Sequence, residues 1–137
     1  MTDSHVEVHR AKELIRVEFG GGIAAGDWEE LCERVVGHPE FDPTLPVLWD
    51  LSRVERFGSD MNYAGVQRMS AHVSEIRGRS HQVRLAILSP NDAGYGIGRM
   101  FAAVGGNDFP FEVEVFRDLE GAERYLRTRE PSIQSPG

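Results

Sequence analysis

Alternating apolar and polar residues near the start of the chain predict a pair of β-strands. His5–Arg10 and Glu13–Phe19 both repeat with the two-residue period of a strand, and the short link between them favours an antiparallel hairpin. Gly20–Gly22 follows, and three successive glycines are typical of a turn. Apolar residues at helical spacing come next and predict a helix that Asp27 caps and that ends before Gly37.

Two nearly continuous apolar runs, Leu45–Leu51 and Val83–Leu88, predict the central strands. Such runs are typical of parallel strands that are covered on both faces, so we expect helices above and below the sheet. Asp50 is then expected near the carboxyl end of its strand. Ser52–Gly58 is expected to form the connection that follows.

The remaining periodic segments predict three helices and one further strand. Ser59 or Asp60 is expected to cap a long helix that reaches about Ile76. The strict alternation of Phe111–Phe116 is typical of an edge strand with one wetter face. The other two helices are expected over Tyr95–Val104 and, capped by Asp118, over Leu119–Arg127.

This order of elements, β-β-α-β-α-β-α-β-α, predicts an α/β fold. We expect a mixed, mostly parallel sheet of five strands with about four helices, in which the first strand of the hairpin is antiparallel. The chain has 137 residues, which suits one domain over residues 1–129. The composition of residues 130–137 predicts a disordered tail.

Charge and targeting signals narrow the class of protein. The formal charge is -7, and the bases are scattered arginines with Lys12 as the single lysine, so we expect no binding of nucleic acid. No apolar run approaches the ~20 residues of a transmembrane helix, although peripheral contact with a membrane stays open. No signal peptide is visible, and we expect a cytoplasmic protein whose Cys32 is a buried helical thiol.

Polar side chains follow the predicted parallel strands, where α/β proteins bind ligands. One interpretation is a ligand- or partner-binding site in which Arg99 holds an anionic or amphipathic group. The other is a set of turn formers and Asp–Arg pairs that only tie loops to strands. The candidate residues are Asp50, Ser52, Ser59, Asp60, Asp92, Tyr95, Arg99 and Arg117.

No motif in the chain predicts catalysis, a metal or a cofactor. The five histidines lack metal-ligand spacing, and Ser89 lacks the Gly-x-Ser-x-Gly elbow of acyl-transfer enzymes. Gly94, Gly96 and Gly98 do not have the spacing of a dinucleotide-binding loop. We therefore expect a protein that is not an enzyme and that has no catalytic residue, metal site or cofactor.

Several motifs resemble those of the SpoIIAA-like family, small bacterial proteins related to STAS and CRAL-TRIO domains. Val47–Val54 resembles the Asp-Leu-Ser-x-Val strand end of STAS domains, the fold of anti-sigma-factor antagonists. The more specific resemblance covers a strand, a Tyr-Gly-x-x-Arg-Met helix start and a strand that ends in Phe-Arg-Asp, and it lies in Leu85–Pro90, Tyr95–Phe101 and Glu112–Ala122. Shorter matches are Gly22–Ile23, His38–Phe41 and Asp60–Met61.

The resemblance implies a test for phosphorylation. STAS antagonists have an Asp-Ser-Ser-Gly motif whose second serine is phosphorylated, and it aligns with Gly58–Met61. Ser59 matches the first serine, but Asp60 stands in the place of the phosphoacceptor. The match is partial, so Asp60 is either a fixed negative charge or a helix cap.

The resemblance implies a non-enzymatic regulatory or protein-interaction module. The alternative is a carrier of a small apolar or lipid-like ligand in a pocket near the Tyr95–Val104 helix. Phe109–Phe111 near the edge strand leaves a homodimer open.

Overall fold

The computed structural model describes residues 4–78, 82–105 and 109–127. The tail predicted over residues 130–137 lies outside these ranges. The strands are β1 (His5–His9), β2 (Leu14–Ile23), β3 (Val47–Phe57), β4 (Val83–Leu88) and β5 (Phe111–Phe116). The helices are α1 (Ala25–Val36), α2 (Tyr63–Arg77), α3 (Asp92–Gly105) and α4 (Leu119–Arg127), with a short 3-10 turn at Arg10–Lys12.

The five strands form a single sheet in the order β1-β2-β3-β4-β5. β1 is antiparallel to β2, and β2 to β5 are parallel to one another. This confirms the predicted α/β class, the number of strands and the antiparallel first strand. β5 lies at one edge of the sheet, as its alternating pattern predicts.

The helices are divided unequally between the two faces of the sheet. Residues of α1, α2 and α3 share one core with the sheet, and Trp28, Trp49 and Phe101 fill its centre with ring centroids 5.2–5.3 Å apart. Among the described residues, α4 is the only helix that packs on the opposite face, where Ala122 and Leu126 meet Leu48 and Leu88. Coverage on both faces therefore holds for β3 and β4 but not for the whole sheet.

β2 and β3 are longer than the sequence predicts. Gly20–Gly22 was expected to form a turn, but these glycines continue β2 and pair with β3. β3 likewise runs through the expected connection as far as Phe57. The register between the two strands shifts twice, at Glu18/Gly20 and at Gly21/Gly22, and such bulges are where a strand tolerates glycine.

Two helix starts also differ from the prediction. α2 begins at Tyr63 instead of near Asp60, because the side chain of Asn62 accepts a hydrogen bond from the backbone N–H of Gly65. α3 begins at Asp92, one turn earlier than predicted, because Asn91 accepts from the N–H of Gly94 in the same way. Asp118 caps α4 as expected, through the N–H of Gly121.

Cys32 is a buried residue of α1, which agrees with the predicted role of its thiol. Loss of hydration on burial raises the pKa of the thiol to about 12, although the Arg77 guanidinium opposes the shift. The thiol is therefore protonated at neutral pH, and we assign it to packing and not to reactivity.

Candidate functional site

The structure separates the eight predicted site residues into four locations. Asp50 and Ser52 lie within β3 on the face of the sheet that α4 partly covers. Ser59 and Asp60 lie in the loop before α2. Asp92, Tyr95 and Arg117 meet where β4 and β5 end, and Arg99 lies on the exposed side of α3.

Asp50 is a buried carboxylate that the surrounding chain neutralises. Its side chain is 5% exposed, and Oδ2 accepts a hydrogen bond from Arg16 Nη2 at 2.5 Å. Oδ1 accepts from the backbone N–H of Ser52 at 3.0 Å and from the Ser52 hydroxyl. A buried charge persists only when it is paired and hydrogen-bonded, so these contacts are what permit an acid inside a central strand.

Asp50 belongs to a larger set of polar residues that we call the charged face. Glu18 Oε2 lies 3.4 Å from Arg16 Nε, and Glu18 Oε1 lies 3.6 Å from His5 Nδ1, so contacts between polar side chains run from β1 to β3. Within the described ranges, no helix covers this part of the sheet. The charged face consists of His5, Glu7, His9, Arg16, Glu18, Asp50 and Ser52.

Arg16 and Glu18 are missing from the predicted site, but the sequence contains a signal for them. The polar members of β1 and β2 alternate with valine and isoleucine, and the apolar members face the three-helix core. Alternation predicts that the polar members share one face. It does not predict whether a helix covers that face, and we therefore assigned these residues only to strands.

Asp60 caps a different helix from the one predicted. Its Oδ1 accepts a hydrogen bond from the backbone N–H of Ala25 at 3.1 Å, at the first turn of α1. Asp27, which was expected to be the cap of α1, lies one turn inside the helix and accepts from the N–H of Ala24 at 2.9 Å. The two carboxylates therefore satisfy the amino terminus of α1, and the neighbouring Ser59 is exposed.

Replacing Asp60 by alanine is expected to lower the free energy of unfolding by about 1 kcal/mol, because it removes a charged cap from α1. Ser59→Ala is the matched control, since this exposed neighbour should change stability by less than about 0.5 kcal/mol. Urea unfolding followed by tryptophan fluorescence measures both. Equal losses in the two variants would show that the contact with Ala25 does not stabilise α1.

Arg117 ties two loops together at the ends of β4 and β5. Its guanidinium donates to the Pro90 carbonyl at 3.2 Å and to Asp92 Oδ1 at 2.8 Å, and it lies 4.1 Å from the centre of the Tyr95 ring. Asp92 is almost fully exposed, so this ion pair adds little stability. The geometry agrees with the interpretation that Arg117 and Asp92 only hold the two loops together.

The polar side chains that the sequence places together after the parallel strands do not form a single site. Arg99 lies on α3, which packs on one face of the sheet, whereas the side chain of Asp50 lies on the other face. Asp60 is also remote, because β3 continues for about 23 Å beyond Asp50 before the loop of Asp60 begins. The sheet and the length of β3 therefore separate residues that the sequence places at one edge.

The space under α3 is closely packed. A Cβ atom added to Gly98 would lie 2.9 Å from Val115 Cγ1 and 3.1 Å from Ile87 Cγ2, so α3 lies directly on β4 and β5. Phe109 and Phe111, which the sequence offers as an association surface, are both only 4% exposed. Their rings pack together in the core with centroids 5.5 Å apart, so these two side chains do not form an exposed apolar patch.

The described residues contain no group of three or more histidine, cysteine or acidic side chains that could hold a metal ion. No helix in the same ranges is long and apolar enough to cross a membrane.

Comparison with solved structures shows the fold class. The chain is similar to an uncharacterised protein of the DUF3478 family from Shewanella loihica PV-4, which is described as having a SpoIIAA-like fold. The TM-score is 0.56 at 14% sequence identity, over 91% of this chain and 93% of that one. A scan against models of protein families found no match, and neither did a search of curated proteins. The chain therefore has a SpoIIAA-like fold, as its motifs predict.

Proposed function

We propose that the protein is a non-enzymatic regulatory or protein-interaction module and that its charged face contacts a protein partner. The observation that supports this proposal is the unequal distribution of helices. Three helices cover one face of the sheet, and in the described part of the chain α4 covers β3 to β5 on the other face and reaches β2 at Leu14. No described helix lies over the charged side chains of β1 and β2.

The charges of this face favour a basic partner. Three carboxylates, those of Glu7, Glu18 and Asp50, stand against the single guanidinium of Arg16. Asp50 is neutralised by Arg16, so Glu7 and Glu18 provide the excess negative charge. Opposite charges across an interface steer association and fix the register of the two surfaces.

Arg16 is held in place by the acids around it. Its Nε is buried and makes no hydrogen bond within the described residues, and the nearest acid to it is Glu18, whose Oε2 lies at 3.4 Å. The carboxylate of Asp50 already accepts from Arg16 and Ser52, an arrangement that suits recognition better than proton transfer.

Photo-crosslinking in cells that express the protein tests this proposal. A photoreactive amino acid at His9, on the charged face, should give one discrete adduct with a second protein. Glu7→Lys in the same chain should reduce the yield of this adduct severalfold, because it reverses a charge on the interface. Glu30→Lys is the matched control, since Glu30 is an exposed glutamate of α1, and it should leave the yield unchanged.

Three results would contradict the proposal: no adduct from position 9, an equal adduct from a photoreactive residue at Glu30, or no effect of Glu7→Lys. A native mass spectrum of the purified protein separates the alternative of a carrier. The interaction module predicts the mass of the chain alone. A co-purified apolar ligand in stoichiometric amount would favour a carrier near α3.

A further inference from the structure

β1 forms one edge of the sheet, and its pairing with β2 is regular. All the residues from His5 to His9 pair with β2 in one continuous antiparallel register without a bulge. In the described part of the chain, no strand pairs with β1 on its outer side. The peptide groups on the outer side of an edge strand are a template for the addition of another strand.

The backbone groups of Val6 and Val8 face the outer side of β1. The N–H of Ile15 donates to the carbonyl of Pro46, which precedes β3, so the peptide group of Ile15 faces β3. Peptide groups alternate in direction along a strand, and the even-numbered residues of β2 therefore face β1. Their partners in β1 are His5, Glu7 and His9. The valines between these partners direct their N–H and C=O groups away from β2.

Side chains that can bind a metal ion alternate with these valines. His5, Glu7 and His9 belong to the charged face and are 57%, 49% and 34% exposed, so all three can reach an ion. The strand reads the same in both directions, His-Val-Glu-Val-His. Within one chain the two histidines are about 13 Å apart along the strand, and the described residues of a single copy form no group of three ligands.

We propose that two copies of this chain bind zinc ions between their β1 strands, which pair antiparallel about a two-fold axis at Glu7. In this register Val6 faces Val8 of the second copy, and each such pair exchanges two backbone hydrogen bonds. His5 faces His9 of the second copy twice, once on each side of the axis. A palindromic strand paired in this way is complementary to itself, so the dimer is closed.

The opposed histidines occupy the type of pair in which side chains on neighbouring strands approach most closely. The peptide groups of His5 and His9 face β2, so these residues form non-hydrogen-bonded pairs across the new interface. The Cα atoms of such a pair are about 4.5 Å apart, closer than those of a hydrogen-bonded pair. Two imidazoles and a carboxylate form a ligand set that zinc takes in proteins, with a fourth position left for water.

Two ligands of each ion already lie close together in one chain. His9 Nε2 is 4.0 Å from Glu7 Oε2. Ligand atoms of one tetrahedral zinc ion are about 3.4 Å apart, so a small side-chain rotation brings these two atoms to the required separation. His5 of the second copy then supplies the third ligand, and the dimer holds two equivalent ions.

Glu18 orients the third ligand. Its Oε1 lies 3.6 Å from Nδ1 of His5 in the same chain, which leaves Nε2 of that ring for the metal ion. A carboxylate beside the other ring nitrogen is the usual arrangement around a zinc-bound histidine, because it fixes the tautomer and the orientation of the ring.

Glu7 makes the pairing of the two copies depend on the metal ion. It faces Glu7 of the second copy on the axis, and like charges directly opposite each other destabilise a strand pair. A zinc ion bound to each glutamate removes this repulsion. Moving the second copy by two residues would also separate the glutamates, but only three residues of each β1 would then overlap and no two histidines would be opposed. We therefore expect a monomer without zinc and a dimer with it.

Sedimentation velocity of the purified, tag-free protein with zinc chloride alone tests the proposal. In EDTA the chain should sediment as a monomer, and one equivalent of Zn²⁺ should shift it towards twice the mass of the chain. His5→Asn and His9→Asn should each weaken this dimer at least about tenfold, because each removes a ligand from both sites. An equimolar mixture of the two variants should dimerise again, since His5 of one chain and His9 of the other complete one site.

His72→Asn is the matched control, because it removes a histidine from α2, which packs on the opposite face of the sheet, and it should leave the dimer unchanged. Mg²⁺ in place of Zn²⁺ should leave the protein monomeric, since Mg²⁺ prefers oxygen ligands. Far-ultraviolet circular dichroism of each variant verifies that it is folded. No protein partner is present in these experiments, so their outcome is independent of the proposed partner binding.

Three results would overturn the proposal of a shared zinc site. The first is a wild-type protein that stays monomeric with zinc up to about 1 mM chain. The second is a dimer that EDTA does not dissociate or that either single variant still forms normally. The third is a mixture of His5→Asn and His9→Asn that does not dimerise, because the two histidines would then not belong to one site across the axis.

Discussion

Replacing Arg16 by methionine is expected to lower the free energy of unfolding by about 3 kcal/mol. Asp50 is 5% exposed, and its charge would remain in the protein without a cation beside it. Breaking a buried pair from one side typically costs about 3–5 kcal/mol, and we expect the lower end because Arg16 is 23% exposed. The change in the midpoint of urea unfolding, followed through Trp28 and Trp49, measures it.

The substitution Asp50→Leu should lower the free energy of unfolding by less than Arg16→Met does. The Arg16 guanidinium would still have Glu18 at 3.4 Å and some contact with water, so we expect a loss of about 1–2 kcal/mol. The double variant Arg16→Met/Asp50→Leu should be close to the wild-type protein, because apolar residues often replace a buried pair without loss.

The cycle formed by these variants gives the coupling free energy of Arg16 and Asp50 directly. Losses that simply add in the double variant would show that the two side chains do not depend on each other. A loss below about 0.5 kcal/mol for Arg16→Met would mean that Asp50 does not need the cation.

Replacing Gly65 by alanine is expected to lower the free energy of unfolding by about 2 kcal/mol or more. A Cβ atom at this position would overlap the backbone carbonyl oxygen of Asp60, which cannot move without disturbing the loop before α2. The same loop holds the Asp60 side chain against the amino terminus of α1. The substitution should therefore weaken two helices together.

Gly96→Ala provides a control of opposite sign. Gly96 is an exposed glycine of α3, and an added Cβ atom meets nothing within 4 Å. Alanine is a better helix former than glycine, so we expect a gain of up to about 1 kcal/mol. Thermal unfolding monitored by circular dichroism distinguishes the two variants. A gain in both would contradict the close approach of Asp60 to α2.

The charged face illustrates a partial success of prediction from the sequence. The sequence predicts Asp50 as a site residue because it is an acid in an apolar strand, and it predicts Ser52, two positions later, for the same site. Arg16 neutralises Asp50 from a neighbouring strand, 34 positions away along the chain. The pairing of β2 with β3 brings these two residues together, and local periodicity contains no information about which strands become neighbours.

The prediction that the polar residues after β3 and β4 lie together at one edge of the sheet was wrong for a related reason. The sequence correctly predicts that β3 and β4 are parallel neighbours, because their apolar runs demand burial on both faces. It does not predict that β3 continues beyond β4, since the polar segment after Leu51 has the composition of a connection. The glycines of β2 allow this segment to pair with bulges, which moves Asp60 far from Asp50.

The sequence by itself determined the class of fold, the order of the elements, the direction of the strands and most helix ends. These features depend on hydrophobic periodicity and on capping residues, which act over a few neighbouring positions. Only the tertiary structure decided that Asp60 caps α1, that Gly65 tolerates no side chain and that no helix of the described residues lies over Arg16 and Glu18. Each of these depends on which distant segments come into contact, and packing of the whole chain sets those contacts.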